Sequence, residues 1–268
     1  MDVVIFEDNW QTCFNRLGLQ SLDDFMNFSA GEIINQNSRR SVLRFSLGEG
    51  DTRKEFFMKR FYKPHTKDRL GTLIHYGKFL SQAGVEWTNA KYLLDHDIET
   101  YHPVCYGQRR ILGLETHSFI VTEKLKSVPL THFIMDHWAD MDDSERNKMI
   151  VSMANLVAKL HHAKINMPDL YMWHFFVSRD KDFNQYEYAL IDLHRMTING
   201  HKQYQQSKNI AALFYSMLDD YFDEAAKKLF LETYHPDGYQ KLQNKITARV
   251  KVIQGRRKEK HVLALWQA

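Results

Sequence analysis

Two aspartates set in an ordered series of short segments carry the most readable chemistry of this chain. Asp169 opens the string Asp-Leu-Tyr-Met-Trp-His174, which runs directly into the apolar Phe175-Phe-Val177. A polar stretch, Ser178–Gln185, then leads through Tyr188–Ile191 into Asp192. The pattern reads as loop, strand, hairpin and strand, with a carboxylate before the first strand and another after the second. That arrangement suits phosphoryl transfer, in which one carboxylate accepts the proton of an attacking hydroxyl and the other holds Mg²⁺ against nucleotide phosphates. Asp169 is the expected base and Asp192 the expected metal ligand. His174, five residues after the base, stands where an Asx-type second ligand would belong. Imidazole can ligate a divalent metal although Mg²⁺ prefers oxygen, so His174 is read as a metal ligand, a residue orienting Asp169 or Asp192, or a buried structural histidine.

The elements needed to position these groups are also legible. Met153–His161 has helical apolar spacing and ends shortly before Asp169. Upstream, residues 40–47 and 55–62 read as the arms of a hairpin around Gly48-Glu-Gly-Asp51, with a further strand at Glu32–Ile34. A helix is expected at 85–96, and strands at Val104–Gly107 and Ser118–Glu123 joined by the polar segment Gln108–His117. Helices follow at 128–138, 143–162, 207–232 and 238–262. The expected fold class is therefore α+β: a two-lobed, protein-kinase-like fold with a small antiparallel-sheet part at 1–123 and a larger helical part at 124–268. A nucleotide would bind in the cleft between them.

Such a fold needs a phosphate-binding lysine on a central strand, tethered by a helical glutamate. Lys59, inside the apolar run Phe56–Phe61, is the candidate, and Glu86, 27 residues downstream, is its candidate partner. An aggregation-blocking lysine on an edge strand and a first-turn acid on a helix are the competing structural roles. Glu123 and Leu125, in the connector, would offer backbone groups to adenine. No glycine-rich loop covers the phosphates; Gly31–Arg40 contains one glycine, leaving hairpin amides and Arg39 or Arg40 to serve. Arg195, three residues beyond Asp192, either meets an anionic acceptor bidentately or forms an ion pair that fixes the loop.

Bulk composition narrows the class further. The 268 residues, 44% hydrophobic and 26% charged, are ordinary for a globular chain with a sizeable core. No apolar run reaches the ~18–20 residues needed to span a bilayer, and the first residues lack the pattern of a signal peptide. Cys13 and Cys105 are isolated, so a reduced, cytoplasmic protein is expected. A net charge of +3 does not point to nucleic acid. Basic clusters at Lys59–Lys63 with Lys67 and Arg69, and at Arg249–Lys260, are either solvated faces or a means of contacting an anionic membrane surface.

The motifs resemble those of the bacterial lipopolysaccharide core heptose kinase family. Its catalytic loop, Asp-x-Tyr-x-x-His-Phe, is matched by Asp169-Leu-Tyr171-Met-Trp-His174-Phe175, and its Ile-Asp-Leu-His-Arg motif by Ile191–Arg195. Lys208-Asn-Ile-Ala-Ala-Leu213 resembles the family's Lys-Asp-Leu-Ala-Ala-Leu, with Asn209 in place of Asp, and Met167-Pro168 replaces a His-Arg. Glu86-Trp87 and Ser118–Glu123 resemble family segments as well. The likeness runs over roughly residues 31–215. It implies ATP- and Mg²⁺-dependent phosphorylation of a sugar hydroxyl on lipopolysaccharide core oligosaccharide or a lipid-linked precursor, at the inner face of the inner membrane.

Two other readings compete. A protein kinase would need a longer platform than the roughly fifteen residues between Asp192 and the helix near Lys208, and an Ala-Pro-Glu that is missing. A catalytically inactive kinase fold acting as a binding or regulatory protein sits poorly with the presence of Lys59, Glu86, Asp169 and Asp192 together.

Overall fold

The computed structural model describes residues 2–7, 10–62, 76–77, 79–180, 185–198, 203–256 and 260–267. Lys63, Lys67, Arg69, Arg257 and Lys258 of the two basic clusters lie outside the described residues, as does 181–184 of the expected hairpin. The chain divides into two compact units: Met1–Asp95 with Thr100–Leu125, and His96–Glu99 with Lys126–Ala268.

The first unit is built on a six-stranded antiparallel sheet. Its strands are β1 (Asp2–Phe6), β2 (Glu32–Gln36), β3 (Arg40–Leu47), β4 (Lys54–Phe61), β5 (Pro103–Ile111) and β6 (Leu114–Glu123). They lie in the order β1-β5-β6-β4-β3-β2. Strand alternation sends Phe56 and Met58 of β4 to one face, where they join Phe14, Phe25, Phe45, Val121 and Phe119 in a buried cluster. Two short helices, α1 (Trp10–Arg16) and α2 (Leu22–Asn27), contribute Phe14, Leu22 and Phe25 to that cluster. The rings of Phe25 and Phe119 stack at 4.2 Å. Gly107 permits this packing, because a Cβ there would sit 2.4 Å from the Phe119 ring. The opposite face carries Phe61 and Ile120 against Ala83 and Trp87 of α3 (Gln82–Leu94).

The sequence suggested one helix in this region, whereas the described residues contain three. Helices of six or seven residues hold too few turns to show periodicity; α2 is instead specified by a capping box between Ser21 and Asp24. The segment Gln108–His117 is not a connector. β5 and β6 go on pairing through it, with a register shift between Arg109 and Arg110, as far as Ile111↔Leu114, closed by Leu112 and Gly113. Its charged residues sit on a partly solvated strand pair and hide the alternation.

The second unit is mostly helical: α4 (Leu130–His137), α5 (Asp143–His162), α6 (Gln203–Ser216), α7 (Glu224–Tyr234), α8 (Tyr239–Gln254) and α9 (Lys260–Trp266). The spans expected as single helices at 207–232 and 238–262 are each broken. Asp223 caps a new helix by accepting from the Ala226 N–H, and Gly255 ends α8 before α9 begins. Phe175–Asp180 (β8) and Gln185–Leu190 (β9) pair antiparallel, with Val128–Pro129 (β7) beside β8. Because Phe175 pairs with Leu190, Asp169 before β8 and Asp192 after β9 both stand at the open end of this pair.

Candidate active site

In the first unit, Lys59 lies on β4 between β3 and β6, opposite Val42 and Ile120. A central position removes the edge-strand explanation for its charge. Alternation turns it to the α3 face, where its Nζ donates to Glu86 Oε2 at 2.8 Å. Glu86 is almost fully buried, in the second turn of a helix capped by Ser81, so it is not a first-turn acid. Tyr101, which the sequence reading missed, donates its hydroxyl to the same Oε2 at 3.0 Å, and its ring lies 5.7 Å from the Lys59 ammonium. The buried carboxylate is thereby satisfied from two sides, and the lysine is held at a fixed height above the sheet.

Two neighbouring backbone stretches bear on nucleotide contact. Asn37 Oδ1 accepts the N–H groups of both Arg39 and Arg40, which commits those hairpin amides internally. The Glu123 N–H is bonded to the His102 carbonyl at 2.9 Å, so it is not a donor for an adenine.

In the second unit, α5 ends at His162 and the chain reverses through Lys164, whose φ is 60°. Asp169 follows, mostly buried. Its carbonyl accepts from the Tyr171 N–H at 2.8 Å and from His174 Nδ1 at 2.7 Å. A carbonyl can only accept, so the neutral His174 ring carries its proton on Nδ1 and presents the Nε2 lone pair. That Nε2 lies 3.6 Å from Asp192 Oδ2. Two ligand atoms so spaced can share one cation with bonds of ~2.0–2.2 Å each. The other Asp192 oxygen meets His194 Nδ1 at 2.7 Å, another contact that the sequence did not single out. Asp192 adopts φ 61° and ψ 59°, a left-handed conformation that short polar residues tolerate better than bulky ones. Arg195 Nη1 donates to both carboxylate oxygens of Asp169, at 2.9 and 3.0 Å. Asp169, His174, Asp192 and Arg195 thus form one constellation.

A buried neutral network supports it. Asn209 Oδ1 accepts from the Met167 N–H at 3.0 Å and approaches His161 Nε2 at 3.2 Å, while Asn209 Nδ2 donates to Asn166 Oδ1 at 3.1 Å. Asn166 pairs with Thr197 through both backbone groups and through its side-chain amide, which donates to the Thr197 hydroxyl. The single amide of Asn209 therefore steadies the segment before Asp169 and, through Asn166, the segment after Arg195. His161 is buried and its second nitrogen contacts the Tyr234 hydroxyl at 2.8 Å; burial pushes its pKa down to about 4. The helix-end histidine of the sequence reading is a structural strut.

Comparison with known proteins identifies the family and the fold. Residues 27–234 match the profile of the lipopolysaccharide kinase (Kdo/WaaP) family. Lipopolysaccharide core heptose(I) kinase WaaP of Pseudomonas aeruginosa is 34% identical over 155 residues, covering 56% of this chain and 58% of the relative. The enzyme of the same name from Escherichia coli K12 is 26% identical over 197 residues, covering 70% and 72% respectively. The solved structure of WaaP in complex with acyl carrier protein superposes with a TM-score of 0.71 at 24% identity, covering 98% of this chain and 99% of that one. The fold is accordingly the α+β, two-lobed protein-kinase-like fold. With the profile spanning both the Lys59 strand and the Asp169–Arg195 constellation, the chain belongs to the lipopolysaccharide kinase (Kdo/WaaP) family.

Proposed function

We propose that this protein transfers the γ-phosphoryl group of ATP to a sugar hydroxyl, a heptose or related inner-core sugar, of lipopolysaccharide. The observation that carries the reading is that Asp169, on its loop before β8, and Asp192, just after β9, flank the same open end of one antiparallel strand pair, each with its own set of partners. Asp169 accepts the proton of the sugar hydroxyl as the oxygen attacks phosphorus. Lys59, held by Glu86 and Tyr101, binds the nucleotide phosphates. The Glu123 carbonyl and the Leu125 backbone take the adenine. Asp192 and His174 would hold Mg²⁺, which neutralises phosphate charge when bound. Arg195 places the Asp169 carboxylate and offers its remaining guanidinium N–H groups to an anionic acceptor.

Such an acceptor is carried by a lipid, so work at the inner face of the inner membrane fits the reading. No helix among the described residues is long and apolar enough to cross a bilayer. Acyl carrier protein, found with the structural relative, is a candidate partner that co-purification would test. The reaction itself is tested by incubating the purified protein with ATP, Mg²⁺ and core oligosaccharide lacking phosphate, then weighing the products. One added phosphate per acceptor, absent with Asp169→Ala, is expected. No transfer to any core oligosaccharide would reject the reading.

A further inference from the structure

The turn between β5 and β6 is chemically odd. It is a two-residue hairpin loop, with φ of 51° at Leu112 and 78° at Gly113, flanked by the Ile111↔Leu114 pair. Positive φ at both positions favours Asn-Gly or Asp-Gly, because a short polar side chain tolerates the left-handed region that disfavours a branched apolar one. Leucine therefore stands at the first position against local preference. It gains nothing from packing either, since Leu112 is 97% exposed. Ile111 is 60% exposed, Leu114 43% and Phe79 40%. Phe79 belongs to the same patch: with Leu80, Arg110, Gly113, Leu114 and Glu115 it lines one small surface depression. At the rim, Arg110 donates to the Phe79 carbonyl at 2.8 Å and so keeps its guanidinium beside the apolar tip.

We propose that this hairpin tip inserts into the interfacial region of a lipid bilayer, with Leu112 deepest and Ile111, Leu114 and Phe79 around it. Shape and area choose the occupant. A stable protein–protein interface needs about 800 Å² from each partner. Four apolar side chains around a two-residue turn supply far less than that. Acyl chains need no complementary surface; they accept a projecting apolar wedge and reward its burial in proportion to area. The Arg110 guanidinium at the rim suits the phosphate level of an anionic leaflet. The inference deepens the lipid-borne-acceptor reading, yet its test measures no turnover, so either can fail alone.

The experiment is flotation of the full chain with vesicles of phosphatidylethanolamine containing a minority of phosphatidylglycerol. Leu112→Asn suits the positive φ, so thermal unfolding should be unchanged or slightly improved; that measurement secures the fold. The unaltered protein should float with the vesicles. Leu112→Asn should lower the partition coefficient at least ~10-fold, the loss expected for one large aliphatic side chain. Failure of the unaltered protein to bind vesicles would overturn the proposal, as would equal binding by the variant. A sedimentation shift from dimer to monomer on making Leu112→Asn would mean that a second copy covers the tip, and would overturn it too.

Discussion

Arg195 holds Asp169 by both carboxylate oxygens through a single guanidinium nitrogen, at 2.9 and 3.0 Å, while the arginine itself remains more than half exposed. The expected base is thus tied to a side chain at the surface, for which an arriving acceptor can compete. If Asp169 is the base, Asp169→Ala should cost about 10²–10⁴ in turnover, the usual range for a general base. ATP binding by calorimetry should persist. Near-normal turnover would remove the assignment.

Arg195→Ala should raise the apparent KM for core oligosaccharide and lower kcat, leaving the KM for ATP nearly unchanged. Because the arginine acts on the carboxylate, its effect on kcat should largely vanish in the Asp169→Ala background, as expected when two groups share one role. Additive effects in that double-variant cycle would assign Arg195 a separate task.

Asp192→Ala should abolish Mg²⁺-dependent nucleotide binding. His174→Asn substitutes an oxygen donor, which Mg²⁺ prefers, and should retain binding, whereas His174→Ala should weaken it. Titration calorimetry with and without Mg²⁺ distinguishes these outcomes. Unaltered Mg²⁺-nucleotide affinity in Asp192→Ala would move the metal elsewhere.

Lys59→Met should lower kcat at least ~10-fold with the fold intact, whereas Glu86→Ala should also reduce stability, because Lys59 and the Tyr101 hydroxyl lose a shared buried acceptor. Tyr101→Phe should produce only a small loss, on the order of 1 kcal/mol in stability, one hydrogen bond's usual share. Denaturant midpoints read alongside steady-state rates would show whether the three effects rank in that order.

His161 gives a pH test. Its folded-state pKa, about 4, lies below the 6.5 of an exposed imidazole. Between those values the unfolded chain binds the extra proton, so folding stability should rise with pH from about 4 to 6.5 and be fully present above that. The contribution is on the order of a few kcal/mol. Chemical denaturation of the parent and of His161→Gln across this window should show a flatter slope for the variant. Parallel slopes would mean that the imidazole is not the titrating group.

Much of this arrangement was open to reading from the chain because it is written locally. The runs 40–47 and 55–62 are apolar-rich segments around a glycine turn and so read as strands, and placing Lys59 among phenylalanines signalled a sheet interior. The loop-strand-hairpin-strand order gave Asp169 and Asp192 their places. What stayed hidden depends on contacts between distant segments. Tyr101 precedes a strand in an unpatterned stretch, and nothing in its neighbours shows that its hydroxyl reaches Glu86. Asn209 could be noticed as a departure from a motif, but its bond to Met167 joins residues 42 apart. The choice between acceptor contact and ion pair for Arg195 likewise required coordinates. Helices α1 and α2 escaped for a simpler reason, since a turn or two of helix leaves no period to detect.

The loop that bears Asp169 is fastened in two unlike ways. Asn209 grips Met167 through uncharged groups in the interior, whereas Arg195 grips the carboxylate through opposite charges near water. Added electrolyte screens the second and hardly touches the first. At high ionic strength the backbone around Asp169 should keep its course while the guanidinium's hold on the carboxylate weakens in part, since a partly buried pair in contact is screened less than an exposed one.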